Sequence, residues 1–358
     1  MRVMLLVTDL ERGGTPLRIA DLARGLRAAG VEAIVGCLAP PGPVSAELES
    51  EGVPTFACDA RSARDLMAVK HLWQHVRRLR PDLIHSTLMH ANVAARLVGL
   101  VARVPVVSST ATIEVERRWH RTLELLTARL DRGHIVNSVA LAEHVVRAFR
   151  LPRRHVHVVP PSLRLPRLVD RAAARAALRI PEHEFVVAWV GRFDPVKRLD
   201  LLIRCAEIMK DVPSRFLLVG DGPSRAALED MLRLSSAHKI AHLLGWRADV
   251  GPILSAADAF LFPSLTEGMP NAVLEAMACG LPVVASDIPV LRELSGDEGR
   301  LLIINGGRPR DFADALLGLR EDEQARQALG RRAAAWARDN LDPRVTVRET
   351  IRVYEQIM

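Results

Sequence analysis

The sequence predicts an α/β protein made of two doubly wound domains, and three observations carry that expectation. Its 358 residues are too many for one small core and suit two domains of roughly 150 to 200 residues. Short, unbroken apolar runs recur along the whole chain and are bounded by Gly or Pro, as strands covered on both faces require. Between these runs lie longer amphipathic segments, which supply the crossover helices that parallel strands need.

Taken in order, the runs of the first half fall at 3–7, 33–38, 83–85, 104–107, 135–136 and 156–159. Those of the second half fall at 185–190, 216–219, 240–244, 259–262, 283–285 and 301–304, with amphipathic segments such as 199–209 and 225–234 between them. The stretch PPSLRLPRLVD at 160–170 combines proline with exposed charge and can continue neither a helix nor a central strand. The domain boundary is placed there, separating residues 1–165 from 166–340. Residues 341–358 end in a further amphipathic helix, with Val345, Val347, Ile351, Tyr354 and Ile357 broadly on one side. Doubly wound sheets bind ligands beyond the carboxyl ends of their strands, so a cleft faced by both sheets is the expected site.

Composition narrows the function. No run approaches the ~18 apolar residues of a membrane span, and MRVMLLVTDL is soon closed by acids and an arginine, which reads as neither span nor signal peptide. A cytoplasmic protein is expected. Cys37, Cys58, Cys205 and Cys279 are scattered with no CxxC pair, which argues against a disulfide framework and a structural zinc site and for reduced, mostly buried thiols. The formal charge of +7 is uneven, with residues 1–165 at net +8 and the remainder at −1. A basic half points to an anionic partner. Aromatic residues are only 4% and no helix-turn-helix or finger occurs, so nucleic acid is set aside in favour of an anionic membrane surface. The candidate contact is the amphipathic segment 114–132, where Trp119, Leu123, Leu126 and Leu130 are flanked by Arg117, Arg118, Arg121, Arg129 and Arg132, together with the basic segment 70–80. The alternative is an ordinary covering helix with solvated arginines.

The chemistry-bearing residues cluster at strand ends. After the first strand, Gly13 and Gly14 let a backbone approach a ligand, with Thr15 as the expected cap and Pro16 as the expected first residue of a helix. There is no GxGxxG pattern and no acid at a strand end about 20 residues on, which disfavours dinucleotide binding. Beyond the run 185–190, Arg192 and Lys197 form a pair of cations suited to a diphosphate. LLVGDGP at 217–223 reads as a strand and a tight turn. In FPSLTEGMPNAVLEAMACGLPVVA, Glu267 precedes a helix and Glu275 lies within it, while the amides of Asn271 and Ala272 sit at the helix mouth where phosphate oxygens bind.

These motifs, with PDLIHSTLMHAN, VGRFDPVK and LGWRADV, resemble in order those of the family 4 glycosyltransferases, which are retaining, metal-independent and nucleotide-sugar-dependent enzymes of GT-B fold. The likeness spans essentially the whole chain. It implies that Arg192 and Lys197 clamp the diphosphate, that Glu267 contacts the donor sugar and Glu275 the ribose, and that Asn271 and Ala272 cradle phosphate. It also implies that Gly13 and Gly14 close on the donor from the other domain, that Arg247 lies at the nucleobase pocket, and that the last helix crosses back to the first domain. The donor would be a nucleotide diphosphate sugar such as a UDP- or GDP-sugar, with no separate cofactor and no metal, and no DxD motif occurs. One departure stands out: relatives usually carry a histidine in the loop after the strand VPVVSSTAT, where this chain has Ala111. His90, in the pattern HAN, is the candidate to face the cleft, and a satisfied imidazole at a helix start is the other reading of both His90 and His85.

The expectation is therefore a hexose-transferring glycosyltransferase, peripheral on the inner face of the membrane, whose domain 166–340 binds the nucleotide sugar and whose basic domain 1–165 binds a cell-envelope glycan or lipid-linked acceptor. A nucleotide-sugar 2-epimerase and a non-catalytic sugar-nucleotide-binding relative are the alternatives.

Overall fold

The structure is a computed structural model and describes residues 1–62, 65–112, 118–161, 163 and 165–358. The chain divides into two compact units, one formed by Met1–Leu163 with Leu341–Met358 and the other by Arg164–Asn340.

Among its described residues the first unit holds seven strands: β1 (Arg2–Val7), β2 (Glu32–Cys37), β3 (Thr55–Ala57), β4 (Leu83–Thr87), β5 (Val106–Thr110), β6 (Gly133–Val136) and β7 (Val156–Val158). All pair in parallel in the order β3-β2-β1-β4-β5-β6-β7. Alternation along β1 sends Val3, Leu5 and Val7 to one core, shared with Ile19 and Leu26 of the helix Gly14–Ala28. Met4 and Leu6 face the opposite core, with Leu72 and Val98. The sheet is thus covered on both faces. The helix Pro343–Ile357 is capped by Asp342, whose carboxylate accepts from the Arg344 amide. Its Val347, Val353 and Tyr354 join the first of these cores.

Two details differ from the sequence reading. The edge strand β3 was not anticipated, because three residues with a single buried side chain, Phe56, carry no periodic pattern. The helix after β1 is capped by Gly13, and Pro16 is its third residue, so Thr15 lies within the first turn rather than before it. Gly13 holds extended backbone (φ −164°, ψ 169°) and the helix starts without any side-chain cap, so a hydroxyl was not needed there.

The second unit holds β8 (Phe185–Val190), β9 (Ser214–Val219), β10 (Ala241–Gly245), β11 (Ala259–Phe262), β12 (Val283–Ser286) and β13 (Leu302–Ile304). These are parallel in the order β10-β9-β8-β11-β12-β13. In each unit the chain winds outward in one direction and then jumps across its first strand. The reversal lies between β1 and β4 in one sheet and between β8 and β11 in the other, and such switch points open a crevice at the strand ends. No helix among the described residues is long and apolar enough to cross a membrane.

Candidate active site

In the second unit the switch point assembles most of the residues singled out from sequence. The loop after β8 carries Arg192 and Lys197, and the loop after β11 carries Glu267. The two loops are tied by the Leu265 amide donating to the Val196 carbonyl (2.9 Å). Lys197 Nζ donates to Glu267 Oε1 at 2.5 Å, and the pair is largely sheltered from solvent. The ammonium also lies 5.7 Å from the centre of the Phe262 ring. Arg192 is exposed and has no carboxylate partner among the described residues.

A third loop braces this arrangement and explains the GDG turn. Gly191 and Phe193 donate backbone hydrogen bonds to Val219 and Asp221 (3.0 and 2.8 Å), while the Ser224 amide donates to Phe193. A Cβ on Gly220 would stand 1.8 Å from the Gly191 carbonyl oxygen, and one on Gly222 would stand 2.5 Å from that of Phe193. Only glycine allows the turn to press against the backbone that presents Arg192.

Beyond Glu267 the helix Asn271–Ala278 begins at Pro270 with no side-chain cap. Asn271 and Ala272, which open its first turn, are half-buried residues, and helix starts of this kind suit anions. Glu275 sits one turn inside, and its charge, after burial, helps push the Cys279 thiol up to about 12. Burial holds Cys37, Cys58 and Cys205 near the same value, and none of the four is in a disulfide. Arg247 is exposed beyond the edge strand β10, and no described contact brings it to the Lys197–Glu267 pair.

In the first unit the switch point carries Gly13 and Gly14 after β1 and His90 after β4. Leu88 turns the chain there at φ +77°, an unusual conformation for a branched side chain and one concentrated at functional sites. His90 is the second residue of the helix Met89–Ala102 and packs edge-on against Trp119 and His120 (ring centroids 5.8 and 5.1 Å). Nothing in the local pattern announced those partners, because they belong to a later helix, Arg118–Thr127. His85 is structural: it is wholly buried on β4, with Nδ1 2.5 Å from Tyr354 Oη and Nε2 2.5 Å from Ser109 Oγ. Burial, aided by His134, lowers its pKa to about 3, so it is neutral.

A buried ionic cluster anchors this region and was also not legible from sequence. Arg96 pairs with Glu124 (2.6 Å) and Asp131 (3.0 Å), and His155 Nε2 lies 2.7 Å from Asp131. Burial alone would raise Asp131, but hydrogen bonds from His134 and His155 and the Arg96 charge outweigh it and hold the carboxylate well below its usual range.

Two parallel sheets with switch-point sites, one lined by cations and an acid and the other by glycines and a histidine, define the GT-B class of sugar-transferring folds. Solved structures agree on the fold: the Anabaena protein HepE, crystallised with UDP-glucose, superposes with a TM-score of 0.85 at 22% identity, covering 99% of this chain and 100% of that one. The model of the family described as Glycosyl transferases group 1 matches residues 184–322, and that of Glycosyltransferase Family 4 matches residues 12–165. The D-inositol 3-phosphate glycosyltransferase of Nocardia farcinica is 33% identical over 318 residues, covering 81% of this chain and 69% of that protein. A UDP-Gal:α-D-GlcNAc-diphosphoundecaprenol α-1,3-galactosyltransferase of Escherichia coli is 27% identical over 288 residues, covering 76% and 74% respectively. The chain belongs to the group 1, family 4 glycosyltransferases.

Proposed function

We propose that the protein transfers a hexose from a nucleoside diphosphate sugar to a glycan or lipid-linked acceptor, with retention of anomeric configuration and without a metal. The observation that carries this reading is the Lys197–Glu267 pair at the β8/β11 switch point, beside an uncapped helix start. Breaking the bond from the anomeric carbon to phosphate builds negative charge on the diphosphate. Lys197, Arg192 and the amides of Asn271 and Ala272 stabilise that charge where it develops. Lys197 keeps two further N–H donors for phosphate while one holds Glu267, and this fixes the carboxylate that grips the sugar hydroxyls. Glu275 binds the ribose and Arg247 serves the base, while Gly13, Gly14 and His90 of the first unit take part in the transfer. Ala111 supplies no base, so the departing phosphate oxygen takes the acceptor's proton on the face it leaves, and configuration is kept.

The reading is supported by the activities of the relatives, a UDP-galactose-dependent transferase and inositol phosphate glycosyltransferases among them. Calorimetric titration of a panel of nucleotide sugars tests it, with Lys197→Ala and Glu267→Gln compared with the wild type. One nucleotide sugar should bind, Lys197→Ala should weaken it, and Glu267→Gln should leave the free nucleotide almost unaffected. Indifference of the whole panel to Lys197→Ala removes the clamp.

An anionic membrane surface is proposed as a further partner. Leu126 and Leu130 are exposed (70% and 41%) beside exposed Arg121, Arg129 and Arg132, which is the amphipathic arrangement an interfacial helix presents. Residues 114–117 of that segment lie outside the described residues, and Trp119 is partly taken up by its packing on His90.

A further inference from the structure

Among the described residues of the helix Arg118–Thr127, Glu124 is the only one that is buried, while Leu123 and Leu125 are half-buried and Leu126 is exposed. A covering helix ordinarily seats itself by its apolar stripe. This one is held by a carboxylate that is only 4% exposed. Glu124 Oε2 accepts from Arg96 Nη1 at 2.6 Å and its Oε1 from Asn92 Nδ2 at 3.3 Å, both donors standing on the helix Met89–Ala102. Arg96 Nη1 also donates to Thr127 Oγ1 at 3.0 Å. The guanidinium is itself fixed by Asp131 and by Ser108 Oγ of β5 (3.1 Å), and Asn92 Oδ1 accepts from Ser86 Oγ of β4 (2.8 Å).

His120 stands one turn before Glu124 on the same helix and packs, with Trp119, against His90, which lies two residues before Asn92. The contacts between the two helices thus run in step: His90 with Trp119 and His120, Asn92 with Glu124, and Arg96 with Glu124 and Thr127. Apolar contact has no direction and tolerates a slide of one helix on the other, whereas a charged hydrogen-bonded pair admits one geometry. A buried pair of this kind adds little net stability, because desolvation offsets the attraction, and its best-attested use is to fix register. The register fixed here decides what surrounds His90. A slide by a single residue is about 1.5 Å along the axis, enough to draw both rings off the imidazole.

We propose that Glu124 is a positioning residue, which registers the helix Arg118–Thr127 on Met89–Ala102 so that Trp119 and His120 enclose His90 and orient its imidazole for the transfer. The proposal rests on the reading that gives His90 a part in that transfer, but the orientation is measured apart from it. In NMR of the protein carrying isotope-labelled histidine, the His90 signals are identified by their loss in His90→Gln, and Trp119→Phe shows how they move when the indole contact changes. Glu124→Gln keeps the shape of the side chain and removes its charge. It should displace the His90 signals while Tm stays within a few degrees of the wild type. Glu124→Asp, which keeps the charge and shortens the reach, carries the same expectation should Glu124→Gln unfold. With UDP-glucose and UDP-galactose as donors, Glu124→Gln should lower kcat about tenfold with donor KM unchanged, and should cost less than about twofold in a His90→Gln background, as residues acting through one another require. Unmoved His90 signals, or an equal loss of kcat in both backgrounds, overturns the proposal. UDP and GDP titrated by calorimetry report the donor site separately and should bind wild type and Glu124→Gln alike. Binding of neither by the wild type would instead count against the transferase reading.

Discussion

Lys197 and Glu267 are 70 positions apart, and their contact at 2.5 Å shows how the fold turns separate loop residues into one site. On the proposed clamp reading, removing the ammonium would take away charged hydrogen bonds to phosphate, each worth about 1.5 to 3 kcal/mol. Lys197→Ala should therefore weaken nucleoside diphosphate binding roughly tenfold to a hundredfold by calorimetry, and the exposed Arg192→Ala should weaken it less, because solvent screens that charge. Glu267→Gln should lower turnover while sparing nucleotide affinity, and a proportional loss of both would show that Glu267 and Glu275 have been assigned to the wrong parts of the donor. Arg192, Lys197 and Glu267 stood out in the sequence because each follows a short apolar run that reads as a buried strand, and the roles expected of them came from the family likeness. Their pairing did not stand out, since strand order across a sheet leaves no trace in local periodicity. His90 shows the same limit: its motif was readable, but Trp119 and His120 reach it through tertiary packing alone.

Two glycines separate what the elements require from what a ligand requires. At Gly220 a methyl group would collide with the Gly191 carbonyl at 1.8 Å, on backbone at φ +143° that side chains rarely adopt. Gly220→Ala should destabilise the second unit by about 1 to 3 kcal/mol and weaken nucleotide binding with it. At Gly13 a methyl group meets only Pro16 Cδ at 3.7 Å, on extended backbone. Gly13→Ala should cost less than about 1 kcal/mol in thermal unfolding. A fall in turnover in that variant would then report a lost ligand approach, and unchanged turnover would make Gly13 a simple helix cap. The last helix makes a prediction of its own through His85. Its folded pKa of about 3 lies below the ordinary value of 6.5, so the stability gained by burying it neutral is present above pH 6.5 and is lost as pH falls toward 3. His85→Asn should flatten the decline of unfolding free energy between pH 6.5 and 4 by up to about one proton, and an unaltered slope would mean that other histidines govern it. The strands and the last helix were legible from apolar runs of sufficient length, and β3 was not, because its three residues bury only Phe56. The cap at Gly13 was misplaced because Thr15 satisfies the usual preference for a hydroxyl, whereas this helix begins on backbone alone.

For the whole molecule, the uneven charge is the property that sequence alone made most visible, with +8 in residues 1–165. With Leu126 and Leu130 exposed beside Arg121, Arg129 and Arg132, the protein should co-sediment with anionic but not neutral vesicles and be released by high salt. Changing those three arginines to Glu should abolish the effect, and equal recovery in the supernatant with both vesicle types would leave the charge as a feature of solubility. On the proposed reading, diphosphate chemistry belongs to Arg164–Asn340 and acceptor binding to the other unit. That division is tested most directly by following nucleoside diphosphate release from the bound nucleotide sugar, with and without acceptor, in the presence of a chelator. Release that needs acceptor, yields the glycosylated product, persists in the chelator and collapses in Glu267→Gln is the expected result. Interconversion of the sugar without acceptor, or strict dependence on added magnesium or manganese, would contradict it.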